Sequence, residues 1–496
     1  MNTSEAARLM RATMAATVEG DAGGEVFDKE IAAFSIDSRS LEGGELFFAL
    51  SPEDYARHGF TGTSFADAHQ FIPQAFESGA LAAVARRERV AGDASLAPYK
   101  GRLLLVEDCI EALQVLAHSV LSSWGQPVVG ITGSAGKTTT KDMTAHVLGV
   151  NGRRVLRSRK NFNNELGLPL SILQMETAGA KPSDYDVAVL EMGMSTPKEL
   201  ARLCEIAPPD IAVELLVAPV HLEFFGSIER IAASKAQLVE GLKPGGTAVL
   251  NADDERVAAM RDKHRSGPVV TFGITNAADV TASDIVNVGL GLTRFRLLTP
   301  LGEASVELPM PGRHNLMNAL AASAVATCFN LAPEQIGAAL KTVAASEMRG
   351  EVLRFSEGFV VVDDSYNSNP RSLLSMSEAL AQGSEETKRR IIVAGEMLEL
   401  GPEAAAMHRE AGREIGNLGV ELFWGVRGLA SELIAGAREA GMHEDATRFF
   451  ESSEDAAAAL ASEIRAGDLV LVKGSRGVQT DKVVKFLRQR YEMKDE

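Results

Sequence analysis

Val128-Val129-Gly130-Ile131-Thr132 is an apolar, β-branched run that breaks at once into Gly133-Ser134-Ala135-Gly136-Lys137-Thr138-Thr139, and an amphipathic stretch through Met143, Val147 and Leu148 follows. The order is strand, glycine-rich turn, helix, the unit from which parallel α/β layers are built. Small residues in such a turn let backbone N–H groups face phosphate oxygens, with the positive end of the next helix behind them. Lys137 supplies a cation for β- and γ-phosphates, and the Thr138 hydroxyl can ligate Mg²⁺. The loop departs from the standard P-loop pattern, because Ile131 stands five positions before Gly136, where that pattern has glycine. A glycine-rich turn with a chance lysine is the alternative, and the strand before and helix after weigh against it.

Further β-rich runs at 185–191, 211–217 and 247–251 alternate with helical patterns, which predicts a mostly parallel sheet with helices on both faces. Near 344–346 the pattern restarts, and apolar runs at 359–364, 391–395, 422–426 and 469–472 recur at βαβ spacing. Before residue 120, short apolar runs at 46–50 and 103–106 mix with helical stretches, and Ser122-Ser123-Trp124-Gly125-Gln126-Pro127 reads as a linker. At 496 residues the chain exceeds a single core, so three α/β domains are expected, with junctions near 125 and 346. A net charge of −17 argues against wrapping nucleic acid or hugging anionic lipid, since counterion release needs a basic face. Cys109, Cys204 and Cys328 have no metal-ligand spacing, no apolar run is long enough to span a membrane, and the first residues carry charges where a signal peptide would be apolar. A cytoplasmic location without membrane insertion is expected.

Several side chains stand where chemistry would need them. Glu191 closes an apolar strand run beside the loop, at the end that faces a ligand crevice, and is placed to hold Mg²⁺ with Thr138. Arg349 lies just past the second junction, where domain closure can bring it to a polyphosphate; an interdomain salt bridge is the alternative. Asp364 ends its strand and can accept both ribose hydroxyls. Other residues are ambiguous as bare sequence. His221 is a lone histidine, Lys235 taken alone is a surface lysine on an amphipathic helix, and Asn251 suits a plain turn. His314, Asn315 and Asn318 open an Ala-rich helix, where amides can read an adenine edge or cap the helix.

The run from Gly130 to Thr139 resembles the nucleotide loop of the Mur ligases, which share a shortened P-loop with folylpolyglutamate synthetases. Asn161-Phe162-Asn163-Asn164-Glu165-Leu166-Gly167-Leu168-Pro169, Asp363-Asp364-Ser365-Tyr366-Asn367-Ser368-Asn369-Pro370 and Lys473-Gly474-Ser475-Arg476 are similar to later segments of that family, in its order. The likeness runs from Asp37-Ser38-Arg39 to the C-terminal helix. The resemblance implies an N-terminal uridine-nucleotide-binding α/β domain (1–124), a central P-loop-type ATPase α/β domain (125–345) and a C-terminal Rossmann-like α/β ligase domain (346–496). It implies ATP and Mg²⁺ as cofactors, a monomer, and joining of D-alanyl-D-alanine to UDP-N-acetylmuramoyl-tripeptide through an acyl phosphate. Carried over by position, Gly133, Ser134, Ala135, Gly136, Lys137, Thr138, Thr139, Asn251, His314, Asn315, Asn318, Arg349 and Asp364 would contact ATP. Thr138, Glu191, His221 and a carbamylated Lys235 would hold Mg²⁺, with Lys137, Lys235, His221 and Arg349 catalytic. Asp37, Ser38 and Arg39 would anchor the uridine diphosphate; Asn161, Asn163, Asn164, Tyr366, Asn367 and Asn369 would contact substrate.

Two segments depart from the family. Between 51 and 71 a brief passage through Asp-Gly-His is expected, and this chain is longer there. After Ser475-Arg476 stands Gly477-Val478 rather than Met-Glu. The rival readings are the preceding Mur ligase, which adds the third amino acid, and a P-loop ATPase with no ligase step.

Overall fold

The computed structural model describes residues 1–15, 29–60, 65–159, 162–177, 179–220, 222–288, 291–345, 347–383 and 387–494. Four sheets follow one another along the chain. The first joins β1 (Thr13–Met14), β2 (Phe34–Ser35), β3 (Leu46–Phe48), β4 (Ala82–Arg86) and β5 (Leu103–Val106) in the order β1-β5-β4-β3-β2, with only β1 antiparallel. The second is wholly parallel: β6 (Val128–Thr132), β7 (Val155–Arg157), β8 (Val187–Glu191), β9 (Ile211–Glu214), β10 (Thr247–Asn251) and β11 (Val269–Phe272), ordered β11-β10-β9-β6-β8-β7. Then come β12 (Thr281–Val288), β13 (Leu292–Thr299) and β14 (Gly302–Leu308) as an antiparallel meander. The last sheet holds β15 (Glu351–Arg354), β16 (Val360–Asp364), β17 (Arg389–Gly395), β18 (Leu422–Val426), β19 (Thr447–Phe450) and β20 (Asp468–Lys473), ordered β15-β16-β20-β17-β18-β19 and parallel except for β15.

Six helices matter for the site: α1 (Pro52–Arg57), α2 (Cys109–Trp124), α3 (Lys137–Gly149), α4 (Ile228–Lys235), α5 (Arg313–Cys328) and α6 (Pro370–Gln382). Asp108 caps α2 by accepting from Glu111 N–H, and Gly125, at φ +69°, ends it. The buried face of α2 joins a core that continues from the first sheet onto one face of the second. The covalent junction near 125 is therefore not a break in packing. The opposite face of the second sheet is covered by α3 and α5, and the antiparallel meander packs into that same core.

The meander is the element that the βα alternation did not anticipate. Its outer strand β12 exposes Ile285, Val286 and Val288, so burial does not follow a clean two-residue period there. The run at 211–217 stops being strand at Glu214, because the next residues turn to meet the phosphate-type loop: Ser134 N–H donates to Leu216 O at 2.8 Å, and Ala218 N–H to Ser134 Oγ at 2.9 Å.

Candidate active site

Strand β6 lies between β9 and β8, and the glycine loop leaves its carboxyl end at this reversal of strand order, where open parallel sheets form their ligand crevice. Gly136 caps α3 at φ +84°, and a Cβ there would stand 2.4 Å from Asn318 Oδ1. Both the backbone angle and the close approach of α5 require glycine. Lys137 folds back to donate to Gly133 O at 2.9 Å. Burial holds its ammonium below the ordinary lysine value; Glu191 opposes that shift, and Arg349 reinforces it. Arg349, from beyond the second junction, thus shares an electrostatic environment with the loop lysine, and its guanidinium lies 4.1 Å over the Tyr366 ring.

Glu191 is 2 % exposed and uses both oxygens, accepting from Thr138 Oγ1 and from Asn163 Nδ2, each at 2.7 Å. A hydroxyl and a carboxylate at the mouth of the loop are hard oxygen donors, the chemistry that suits Mg²⁺. Among the described residues no three His, Cys, Asp or Glu side chains gather as a metal cage; Mg²⁺ characteristically needs only one or two carboxylates beside phosphate oxygens and water. Lys235 is no surface lysine. It ends α4 at 2 % exposure, and burial, with Lys137 adding and Glu214 opposing, pushes its amine down to about 7. His221 and Asn161 lie outside the described residues.

The remaining expected contacts are occupied within the chain. Asn251 Nδ2 donates to Leu215 O at 2.6 Å, and its Oδ1 accepts from Asp253 N–H at 2.9 Å, which is a turn-stabilising role. Asn315 Nδ2 bonds Pro311 O at 2.7 Å, and Asn318 Oδ1 accepts from Thr140 Oγ1 at 3.2 Å. His314 Nδ1 lies 3.1 Å from Ser375 Oγ on α6, and burial pushes its value down to about 4. Asp364 pairs with the buried Lys473 at 2.6 Å, and Lys473 also donates to Asn367 O. Asn369 caps α6 through Ser372 N–H, while Asn367 is exposed and Asn164 Oδ1 accepts from Gly167 N–H. On the first sheet Arg39 is 84 % exposed at its side chain and paired with Asp37 at 2.7 Å, while Ser38 is buried.

Three features were given no role from sequence. Glu214 is fully buried with neither carboxylate oxygen hydrogen-bonded among the described residues, although a lone acid in Ile211-Ala212-Val213-Glu214-Leu215-Leu216 is a visible irregularity. Lys473 anchors Asp364. Asp67-Ala68-His69 supplies an Asp-x-His element: Asp67 Oδ1 lies 2.7 Å from His69 Nδ1, and His69 Nε2 accepts from Arg86 N–H at 2.9 Å. The departure in this segment is thus the longer stretch before Asp67, with alanine for glycine.

The chain matches the Mur ligase middle domain over residues 131–326 and the Mur ligase, glutamate ligase domain over 348–476. UDP-N-acetylmuramoyl-tripeptide--D-alanyl-D-alanine ligase of Bacillus subtilis (strain 168) is 33% identical over 451 residues, 91% of this chain and 92% of the relative. The Escherichia coli (strain K12) ligase of the same name is 34% identical over 465 residues, covering 93% of this chain and 95% of its own. Among solved structures, MurF from Acinetobacter baumannii superposes with a TM-score of 0.79 at 27% identity, covering 93% of this chain and 94% of that one. MurF ligase from Thermotoga maritima in complex with ADP gives 0.76 at 29% identity, covering 92% and 97%. With a phosphate-type loop at a strand-order reversal, a carboxylate beside it and relatives above 30% identity across nine-tenths of its length, the chain belongs to the Mur ligase family.

Proposed function

We propose that this chain is an ATP-dependent amide ligase that joins D-alanyl-D-alanine to UDP-N-acetylmuramoyl-tripeptide in peptidoglycan precursor synthesis. The observation that carries this reading is the Thr138–Glu191–Asn163 cluster at the mouth of the glycine loop, with Arg349 of the next unit close enough to perturb Lys137. The relatives that match nearly the whole chain carry the same activity in their names, and one is bound to ADP.

The terminal carboxylate of the tripeptide attacks the γ-phosphate of ATP, and the β–γ bridging oxygen leaves with ADP. The dipeptide amine then attacks the acyl carbon of the acyl phosphate, and phosphate departs as the amide forms. Lys137 and Arg349 bring positive charge to the phosphoryl oxygens, where it is worth most during transfer. Thr138 and Glu191 would hold Mg²⁺, which when bound neutralises phosphate charge. The Lys235 amine, uncharged at ordinary pH for much of the population, fits a carbamate that adds an anionic oxygen; the family likeness gives His221 the part of a further metal ligand. Asp364, steadied by Lys473, faces the ribose hydroxyls. Tyr366, Asn367 and Asn369 lie toward the dipeptide, and Asp37-Ser38-Arg39 toward the uridine diphosphate. Closure of the units keeps water from the acyl phosphate.

We read the domains as 1–124, 125–345 and 346–496, each with its own wholly or mostly parallel sheet. We also read the chain as a cytoplasmic monomer that acts on small molecules and not on nucleic acid. A net charge of −17 supports that, and among the described residues no helix is long and apolar enough to cross a membrane. The test is ADP release. It should require both D-alanyl-D-alanine and the tripeptide nucleotide; release with a free third amino acid and the dipeptide nucleotide would mark the preceding ligase, and release with ATP alone a plain ATPase.

A further inference from the structure

His58 follows α1 in the lengthened segment of the first unit, and its side chain is only 6 % exposed. Its Nε2 lies 3.3 Å from Asp108 Oδ1, the carboxylate that caps α2, and its Nδ1 lies 3.6 Å from Glu165 Oε2 of the central unit. Asp54 anchors the helix that presents it, by pairing with Arg86 at 2.7 Å and accepting from Cys109 N–H. Burial disfavours the charged imidazole, but the carboxylates of Asp108 and Glu165 outweigh it and push the value up to about 9. From α2, Gln114 Nε2 donates to Glu165 O at 3.2 Å. The loop carrying Glu165 is therefore held from two sides by the first unit.

Two residues before Glu165, Asn163 donates to Glu191 Oε1, whose other oxygen meets Thr138. Asn163 has little freedom: its carbonyl accepts from Gly193 N–H at 2.8 Å, and a Cβ on Gly193 would come within 2.9 Å of its side-chain carbon. Only Asn164 separates the two tethered residues, so a displacement of Glu165 is passed as strain to Asn163 and its amide. We infer that His58 is a positioning residue, which clamps the Asn163–Glu165 loop to the first unit and so aims Asn163 at the Glu191 carboxylate. This rests on the reading of Glu191 as a metal ligand. It makes the unit that takes the nucleotide-linked peptide also a support for the phosphate-side carboxylate, a link that neither family motif contains by itself.

Removal of a group that orients a metal ligand costs about tenfold or more in metal affinity. The test is Mn²⁺ binding to the ADP-bound full chain, followed by electron paramagnetic resonance, for wild type, His58→Gln, His58→Arg, Glu165→Gln and the His58→Gln/Glu165→Gln double variant. His58→Gln and Glu165→Gln should each weaken Mn²⁺ about tenfold, and the double variant no further, because both break one clamp. His58→Arg, which keeps a cation, should retain most of the affinity. In turnover, kcat should fall while the KM for D-alanyl-D-alanine stays. Unchanged Mn²⁺ affinity in both single variants, or losses that multiply in the double, would overturn the inference. A His58→Gln chain that only melts earlier would make His58 a structural staple and also overturn it. Glu191→Gln is the control. If it too leaves Mn²⁺ unchanged, the metal site itself is misassigned, and the clamp falls with it.

Discussion

Glu214 ends β9 beside the glycine loop, fully buried, with no hydrogen bond to either oxygen among the described residues. In register it sits opposite Thr132, whose hydroxyl is also unpartnered. A buried polar group without a partner costs about 1–3 kcal/mol, so Glu214→Met, which keeps length and deletes the polar atoms, should stabilise the central unit by that amount. The pH dependence has a definite sign. Burial raises the folded carboxyl well above 4.5, and the nearby Lys235 only partly offsets this. The unfolded chain has released this proton at a pH where the folded chain still holds it. Wild type therefore loses stability as pH rises from about 4.5 through the raised folded value, by up to about 1.4 kcal/mol per pH unit. The Met variant has no such loss. Its advantage should be about 1–3 kcal/mol near pH 5, where the carboxyl is still protonated, and grow toward pH 8, where Lys235, pushed down to about 7, is mostly uncharged and little ion pairing is forfeited. Calorimetry of the metal-free chain between pH 5 and 8 reads this as a widening gap in Tm, of roughly 2–4 °C per kcal/mol for a unit of this size. A gap that does not change with pH, or a variant that melts below wild type at pH 8, would refute the reasoning.

Lys137→Ala should abolish ADP release without lowering Tm, since the ammonium serves phosphate charge and is held against its solvation preference in the free chain; a folded variant with near-normal turnover would remove the loop from the chemistry. Arg39→Ala should raise the KM for the tripeptide nucleotide roughly ten- to hundredfold, the equivalent of a charge-assisted contact of about 1.5–3 kcal/mol, while the KM for ATP stays within about twofold. Equal effects on both would take the uridine site away from the first sheet. Lys235→Ala should be nearly inactive and partly restored by acetate, because a short carboxylic acid can replace the carbamate oxygen; rescue by small amines instead would mean that Lys235 works as an ammonium.

What sequence disclosed and what it hid divide by the range of the interactions. The glycine loop, the strand ends at Glu191 and Asp364, and the sheet order's parallel sense all follow from local pattern: small residues where backbone must approach a ligand, β-branched runs where both faces are covered. Lys235 could not be placed that way. Its helix reads as amphipathic with the lysine on a surface, and only tertiary packing, in which Ile231 of the same helix joins the core shared by the first two sheets, buries it. His58, Asp108 and Glu165 are separated by about fifty residues each and carry no shared motif, so their meeting belongs to topology alone. Asn251 and Asn369 show the reverse case. Both sit at expected positions, yet a turn and a helix cap already use their side-chain oxygens. A ligand contact from either must use the remaining lone pairs and donors or exchange one bond for another.

The charges around the loop explain why its parts come from separate units. Lys137 is disfavoured as an ammonium by burial and by Arg349, and Glu191 and Glu214 return only part of what is lost. Two cations that repel one another become mutually supportive once a polyphosphate lies between them, because each then meets more negative than positive charge. Arg349 is held meanwhile by the face of Tyr366, a cation–π contact weak enough to exchange, worth about 0.5–2 kcal/mol. Tyr366 in turn is fixed by donating its backbone N–H to Met348 O, next to Arg349 itself. The arginine's resting place and the segment expected beside the dipeptide are thus one piece of backbone. On the proposed reading, a nucleotide that drew Arg349 off the ring would free the Tyr366 face for the acceptor and so couple phosphate binding on the second sheet to acceptor binding on the fourth.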